Sequence, residues 1–219
     1  MTRSPDLRHA ILRRAALAAA AVAVVVLAVP AHAYLMIYNP YPGRTSSGYA
    51  VPCNYPGGFV HWNTRNIPWY LNTAGKGAGK SPAISNAARS WAAVSGANHN
   101  PYYANTTGAG FSTDGRNTIL WGSGGGCSGS CLAVTALVLS SGQVITEADI
   151  LFNSAHNWST DGTQYDTEAV AAHEIGHALG IHHSDVSSSA TMYAYYFGSA
   201  GRTLHSDDWA ALQCAESRY

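Results

Sequence analysis

The chain has 219 residues, with 12 basic and 12 acidic side chains and a charged fraction of only 11%. A typical soluble domain is about 25% charged, and the balance of signs excludes a large basic surface, so nucleic acid and anionic membranes are not expected partners. The length indicates one main domain, and ten histidines stand out among so few charged residues.

Residues 1–33 have the pattern of a secretory signal peptide. Four arginines lie within the first 14 residues, an unbroken apolar run follows from Ala15 to Val29, and Ala31-His32-Ala33 matches a signal-peptidase site. As a helix the run is roughly 22 Å long, less than the roughly 30 Å hydrocarbon core of a bilayer. We therefore predict a secreted, extracellular protein that is cut after Ala33 and not anchored in a membrane, with eight basic and eleven acidic residues remaining.

Export places four cysteines in an oxidising compartment, where disulfides are the expected state. Cys127 and Cys131 lie in a Gly/Ser run that is flexible enough to close a short loop, which leaves Cys53 to pair with Cys214. This pairing is favoured, but four cysteines allow three connectivities and the sequence alone does not choose among them.

Residues 34–60 form the first segment after the signal peptide. They are rich in Tyr, Pro and Gly and show neither helical nor strand periodicity, so we expect an irregular N-terminal arm. Beyond the arm, Ile67, Trp69 and Leu71 occupy every second position. This alternation predicts a half-buried strand at the start of the main domain.

A helix is predicted to begin at Ser81 and to end at Gly96. Ser81 is expected to cap the helix, with Pro82 at the first helical position. Apolar residues then recur on one helical face, at Ile84, Ala87, Ala88, Trp91 and Val94.

Residues 74–81 nearly match a phosphate-binding loop between a strand and a helix. The stricter pattern needs Gly where this chain has Ala74. A nucleotide hydrolase that depends on Lys80 is therefore a minor alternative, and a Gly-rich connector is the preferred interpretation.

The second half of the chain is predicted to alternate strands and helices after a polar loop at residues 97–115. Strands are expected at residues 118–121, 132–139 and 144–152. A helix is predicted over residues 166–179 and stops at Gly180. A last short helix begins at Ser206, with two acidic residues in its first turn, where the helix dipole favours negative charge.

One short segment carries the chemistry. His173 and His177 are four residues apart on the predicted helix, so both imidazoles project from one face and can hold one metal ion. Glu174 lies one step around the helix and reaches the space beside the metal without binding it. Gly180 can adopt the left-handed conformation that turns the chain back. Residues 173–183 have the pattern His-Glu-x-x-His-x-x-Gly-x-x-His, which ends at His183. This pattern is expected by chance only roughly 4 times in 100,000 sequences of the same length and composition, so it is not accidental.

The third ligand is His183, because the spacing requires a histidine six residues after His177. His182 is then expected to be an exposed neighbour. Three neutral imidazole nitrogens and one open coordination position are typical of a catalytic zinc site, since structural zinc sites use four protein ligands. We predict one catalytic Zn²⁺.

The eleven-residue motif resembles the extended zinc motif of the metzincin metalloproteases, and Ser184 directly after it resembles the matrixin branch. Residues 190–196 are similar to the matrixin Met-turn, which implies that Met192 lies beneath the zinc ligands. Matrixins usually have Pro where this chain has Ala194, so the wall of the specificity pocket departs from the family pattern. Residues 147–152 and 206–209 also resemble matrixin elements.

The resemblance covers residues 61–219 and implies the fold of the domain. It implies an α+β, zincin-like catalytic domain with a twisted, mainly parallel sheet, about three helices, and an active-site helix followed by a Gly turn and the Met-turn. The strand at residues 132–139 is implied to be an edge strand with which an extended peptide pairs.

The resemblance also implies the function. The protein is expected to be a zinc endopeptidase that hydrolyses internal peptide bonds of protein substrates, with Glu174 as the general base and acid. We expect a monomer. The alternative is a catalytically inactive metzincin-fold binding module, against which the presence of Glu174 argues, because binding alone needs no general base.

The sequence departs from the family in two respects. About twenty residues separate Phe152 from His173, and only His156 and Asp161 remain there as ligand types, so a structural Ca²⁺ or second Zn²⁺ is possible but not supported.

The usual propeptide is expected to be missing. Residues 51–56 resemble weakly the segment whose thiolate blocks the zinc in latent matrixins, so a Cys53 zinc switch stays open beside the disulfide. Cleavage preference, and whether the arm inhibits or is removed, are not determined by the sequence.

Overall fold

The computed structural model describes residues 34–185 and 187–217. The predicted signal peptide at residues 1–33 lies outside the described residues. The helices are α1 (Ser81–Ala92), α2 (Thr167–Ala178) and α3 (Ser206–Glu216). The strands are β1 (Met36–Tyr38), β2 (Gly43–Thr45), β3 (Tyr49–Val51), β4 (His61–Trp62), β5 (Asn66–Asn72), β6 (Asn100–Thr107), β7 (Thr118–Gly122), β8 (Ala133–Leu139), β9 (Val144–Asn153), β10 (Trp158–Ser159) and β11 (Tyr165–Asp166). None of these helices is long and apolar enough to cross a bilayer.

The main sheet has the strand order β2-β8-β9-β7-β5-β6, and β4 pairs with β9 beside this path. The pairs β4–β9, β5–β6, β5–β7 and β7–β9 are parallel, whereas β8 is antiparallel to both of its neighbours. The predicted α+β fold, with a mainly parallel sheet and three helices, is confirmed.

The core lies between the sheet and the helices α1 and α2. The predicted alternation of β5 is confirmed, since Ile67, Trp69 and Leu71 are at most 1% exposed. Trp91 on α1 is fully buried, and its indole N–H donates to the carbonyl oxygen of Ala172 on α2 at 2.8 Å. A buried indole needs such a partner, so this bond fixes α2 against α1.

Two predictions about irregular segments are wrong. The arm contains three short strands: β1 and β3 pair with each other, and β2 joins the main sheet beside β8. Residues 97–115 contain β6, which pairs in parallel with β5 at the edge of the sheet. Both segments form strands through backbone pairing, although their side chains show no apolar alternation.

Two lysines of the connector before α1 donate to backbone carbonyl oxygens. The ammonium group of Lys80 donates to the carbonyl oxygen of Trp158 at 3.1 Å, and that of Lys76 donates to the carbonyl oxygen of His156 at 2.6 Å. The prediction that Ser81 caps α1 is also wrong, because the helix has no side-chain cap and the Ser81 hydroxyl accepts from Tyr103. Both lysines therefore tie the connector to residues 156–158.

Two disulfides join Cys53 to Cys214 and Cys127 to Cys131. The favoured pairing, Cys53 with Cys214 and Cys127 with Cys131, is confirmed. With Cys53 in a disulfide, no thiol is left for the zinc-blocking alternative. The first bond links the arm to α3 across 161 residues of sequence, so the arm is covalently part of the domain.

Candidate metal centre

Helix α2 carries two of the three predicted ligands. Asp166 caps the helix, because its side chain accepts from the backbone N–H of Ala169 at 2.9 Å. The rings of His173 and His177 lie one turn apart, with centroids 4.7 Å from each other. The periodicity of the helix thus brings both imidazoles to one face.

His183 reaches the same place through a turn at Gly180. Gly180 has a φ of +90°, and a Cβ at this position would overlap the carbonyl oxygen of Val60. Only glycine fits these two conditions without strain. After the turn, the Nε2 atom of His183 lies 3.2 Å from that of His177.

The N-terminal arm holds this turn in place. The backbone N–H of Ile37 donates to the carbonyl oxygen of Gly180 at 2.8 Å, and the N–H of His182 donates to the carbonyl oxygen of Leu35 at 2.7 Å. His182 is half-buried by this contact, so the prediction of an exposed neighbour is wrong. The arm therefore supports the segment that carries the third histidine.

The three histidines form a group whose ligand atoms all lie within 4.8 Å of one another. The Nδ1 atom of His173 lies 2.7 Å from the carbonyl oxygen of Thr191, and that of His177 lies 2.8 Å from the carbonyl oxygen of Ile181. A carbonyl oxygen only accepts, so each Nδ1 carries the proton and each Nε2 keeps its lone pair for a metal.

Burial favours the neutral form of His177 and His183. Burial, aided by the neighbouring histidines, lowers the pKa of His177 well below its ordinary value. Burial lowers the pKa of His183 to about 4, with a smaller contribution from His173. Three clustered imidazole nitrogens are a donor set that zinc prefers, so the residues present fit this ion. Among the described residues, no other group of His, Cys, Asp or Glu meets the same criterion, and none includes His156 or Asp161.

Glu174 lies beside this group and is 6% exposed. The hydroxyl of Thr135 on β8 is 2.7 Å from its Oε2 atom and 3.0 Å from its backbone carbonyl oxygen. Burial raises the pKa of the Glu174 carboxyl, while nearby His173 and the Thr135 hydroxyl act in the opposite direction. Thr135 was not predicted as a site residue; a single hydroxyl in the apolar run of β8 is the signal that could have identified it.

The turn that contains Met192 lies under α2. Met192 is 1% exposed, and its carbonyl oxygen accepts from the backbone N–H of Ser184 at 2.8 Å. The carboxylate of Asp208 on α3 accepts from the backbone N–H groups of Thr191 at 2.8 Å and Met192 at 3.0 Å. From the sequence, Asp208 is expected only to interact with the dipole of α3, so its bonds to this turn were not predicted. The carboxylate fixes the turn, and through Thr191 it also fixes His173.

An open cleft of about 790 Å³ contains the histidine group and Glu174. The cleft is lined by residues 131–135 and 137 of β8 and its preceding loop, and by residues 193–198. Residues 45–48 of the arm line the cleft as well. Its size is that of sites that bind ligands.

The edge strand is only partly free. Residues Leu137–Leu139 of β8 pair with β2 of the arm, whereas no described strand pairs with Ala133–Ala136 on this side. The prediction that residues 132–139 form an edge along their whole length is therefore wrong for the last three residues.

Comparison with known proteins agrees with this geometry. The family model described as Matrixin matches residues 61–215. Karilysin of Tannerella forsythia is 54% identical over 61 residues, which are 28% of this chain and 12% of karilysin. The hatching enzyme of Paracentrotus lividus is 44% identical over 68 residues (30% and 11%), and human matrix metalloproteinase-26 is 41% identical over 64 residues (28% and 24%). The matched segment thus spans less than a quarter of the length of each of these relatives.

Proposed function

The chain belongs to the matrixin family of zinc metallopeptidases, and from this premise we propose that it is a secreted zinc-dependent endopeptidase that cleaves internal peptide bonds of proteins. The observation that carries the proposal is the group of three histidines with converging ligand atoms beside a buried carboxylate in one open cleft. Because the matched relatives are covered over only a small part of their length, their names support the chemistry and not a particular substrate.

We assign the metal to the Nε2 atoms of His173, His177 and His183. A zinc ion bound there would supply Lewis acidity, which lowers the pKa of a coordinated water and polarises the scissile carbonyl. The carbonyl oxygens of Thr191 and Ile181 orient the first two rings. The turn at Gly180 and the arm hold the segment that bears the third.

Glu174 is the proposed general base and acid. Its carboxylate would take a proton from the attacking water and pass it to the leaving amine, so that no covalent acyl intermediate is needed. The Thr135 hydroxyl, 2.7 Å away, holds the carboxylate toward the cleft. Burial raises the pKa of this group, which favours its protonation after the first step.

The free half of β8 is the proposed place for the substrate backbone. An extended peptide can pair with Ala133–Ala136, because strand addition satisfies the backbone groups of both chains. Glu174 contacts Thr135 within this segment, so a peptide paired there passes directly beside the carboxylate. This position supports cleavage within a chain, since the cleft is open to a continuous backbone.

Residues 1–33 are proposed to be a signal peptide that directs secretion. Residues 61–219 are proposed as the catalytic domain, and residues 34–60 as an arm that stays attached to it. Two disulfides support an oxidising compartment. The arm contributes the contacts at Leu35 and Ile37 that hold the Gly180 turn, which supports a structural role for the arm in the active protein.

The test combines metal analysis with an activity assay. The purified secreted protein should contain one zinc per molecule and cleave casein, and 1,10-phenanthroline should abolish cleavage until zinc is restored. Cleavage that is unaffected by the chelator would contradict the proposal. A zinc-loaded protein that cleaves neither casein nor a peptide library would favour the binding-module alternative.

A further inference from the structure

We propose that residues 39–48 of the arm, the arm loop, limit how far a substrate extends on the N-terminal side of the scissile bond. The arm loop connects β1 to β3 and contains β2. This inference rests on the proposed function, because it concerns the peptide that the cleft would bind.

The register of β2 gives the first argument. Gly43, Arg44 and Thr45 pair antiparallel with Leu139, Val138 and Leu137. A peptide that pairs antiparallel with the free half of β8 lies on the same line as β2 and runs in the same direction. Its N-terminal end therefore meets the end of β2 at Thr45.

The number of free positions follows from this register. The four residues Ala133–Ala136 separate the start of β8 from the segment that β2 covers. Glu174 contacts Thr135 inside this segment, so the scissile bond lies near it. Because the peptide runs antiparallel to β8, the residues before the scissile bond lie on the side of Thr135 and Ala136. Only about two of them can then pair with β8 before Leu137, and any further residue must leave the sheet edge.

The arm loop is held firmly in this position. The guanidinium of Arg44 lies 2.8 Å from the buried carboxylate of Asp149 and 4.4 Å from the centre of the Phe111 ring. Within the loop, the side-chain amide of Asn39 donates to the carbonyl oxygen of Ser47 at 3.1 Å. Displacing the loop would leave a buried carboxylate without its cation, which is costly. A substrate therefore does not readily replace β2.

The loop also defines the end of the cleft chemically. Thr45, Ser46, Ser47 and Gly48 line the cleft, so the side of the cleft formed by the arm presents small polar groups. We therefore expect the enzyme to limit the number of substrate residues bound before the scissile bond. It should not require a large apolar side chain at the most N-terminal of these residues.

The register of β1 and β3 allows a clean excision. Tyr38 and Tyr49 are directly opposite each other in this antiparallel pair. Replacing residues 39–48 by Asn-Gly would join them through a two-residue hairpin turn. The contacts of Leu35 and Ile37 with the Gly180 turn, and the Cys53–Cys214 disulfide, are outside the excised segment. The excision is made together with Asp149→Asn, which removes the carboxylate closest to Arg44. Glu147, 3.5 Å from Arg44, keeps the backbone N–H donors of Asp114 and Gly115. Asp149→Asn alone is the matched control.

The assay measures kcat/KM for fluorogenic peptides that are extended by one residue at a time, up to eight residues before the scissile bond. For the wild type and the Asp149→Asn control, we expect kcat/KM to stop rising after about the second residue before the scissile bond. For the excised protein, three further residues can pair with β8, and kcat/KM for the long peptides should rise about tenfold. Extensions after the scissile bond should affect all three proteins equally.

Two results would overturn the inference while leaving the proposed function intact. One is a wild type whose kcat/KM rises steadily up to the eighth residue before the scissile bond. This result can be obtained even if the excised protein does not fold. The other is an excised protein whose length dependence equals that of the control. An inactive wild type that becomes active on excision would instead make the loop an inhibitor, which also contradicts a length limit. Zinc-loaded proteins that cleave no peptide would contradict the proposed function itself.

Discussion

The guanidinium of Arg44 lies 2.8 Å from the carboxylate of Asp149, so a cation from the N-terminal arm is paired with a fully buried acid of the central sheet. The same carboxylate accepts from the backbone N–H groups of Ser112 and Thr118. One ion pair thus joins the arm, the loop before β7 and β9. The arm is part of the folded domain through this contact as well as through its disulfide.

The first prediction concerns the pH dependence of this pair. Burial raises the pKa of Asp149 to about 6, whereas in the unfolded chain it titrates near its ordinary value of about 3.9. The folded state therefore binds more protons between these values, and this carboxyl's contribution to the free energy of unfolding falls as pH rises from about 4 to 6. Arg44→Met removes the cation that stabilises the ionised form. It should cost about 2 kcal/mol at pH 7.5 and much less at pH 4.5.

Urea unfolding at the two pH values measures this difference. The double variant Arg44→Met/Asp149→Asn is the control, because it also lacks the Asp149 carboxylate, and its stability should vary less between the two pH values. A loss for Arg44→Met of equal size at both pH values would show that packing against Phe111, and not the ion pair, accounts for the contribution of Arg44.

The second prediction concerns the two disulfides. Cys53 and Cys214 are 161 residues apart, whereas Cys127 and Cys131 are four apart. Because a cross-link restricts the unfolded chain more when it closes a longer loop, removing the first pair as Cys53→Ala/Cys214→Ala should cost about 5 kcal/mol. Removing the second pair in the same way should cost about 2 kcal/mol.

Unfolding in urea under non-reducing conditions gives both values, and the Cys127/Cys131 double variant is the matched control. Equal losses of unfolding free energy in the two double variants would contradict the dependence on loop length. The activity of the folded fraction should stay unchanged in the Cys53 variant, since the sulfur atom binds Cys214 and not the metal.

The third prediction concerns the packing of α2 on the Met192 turn. A Cβ on Gly176 would overlap the sulfur of Met192 and would lie 2.7 Å from the ring of Trp91. Both neighbours are buried, so Gly176→Ala should destabilise the protein by about 2 kcal/mol. Gly110→Ala is the control, because nothing lies within 4 Å of a Cβ there, and its effect should be within about 0.5 kcal/mol. Thermal unfolding with zinc in excess compares the two, and similar Tm values would refute this packing argument.

The sequence was sufficient to predict the histidine group because each step follows from local rules. Helical periodicity brings His173 and His177 together, and a glycine at position 180 allows the turn that returns His183. The strands with apolar alternation or apolar runs, such as β5 and β9, were predictable for the same reason. These elements carry their own signal in the order of their residues.

The arm and β6 were not predictable in this way. Each arm strand has only three residues, within a segment rich in Tyr, Pro and Gly, and β6 is a mostly polar strand that pairs with β5 at the sheet edge. Their conformation depends on partners distant in sequence, such as Leu137–Leu139 for β2. The same limit applies to Asp208, whose partners lie about 16 residues away in the chain. Backbone pairing and buried hydrogen bonds between remote segments leave no periodic trace in a sequence.

The most direct test of the central claim is the zinc content and the casein cleavage rate of Glu174→Gln beside the wild type. Glutamine keeps the size of the side chain and can still bond to Thr135, but it cannot accept the proton. The variant should retain one zinc per molecule and the wild-type Tm, and its kcat should fall about a thousandfold. A zinc-loaded Glu174→Gln protein that cleaves casein at the wild-type rate would contradict the assignment of Glu174 as the general base.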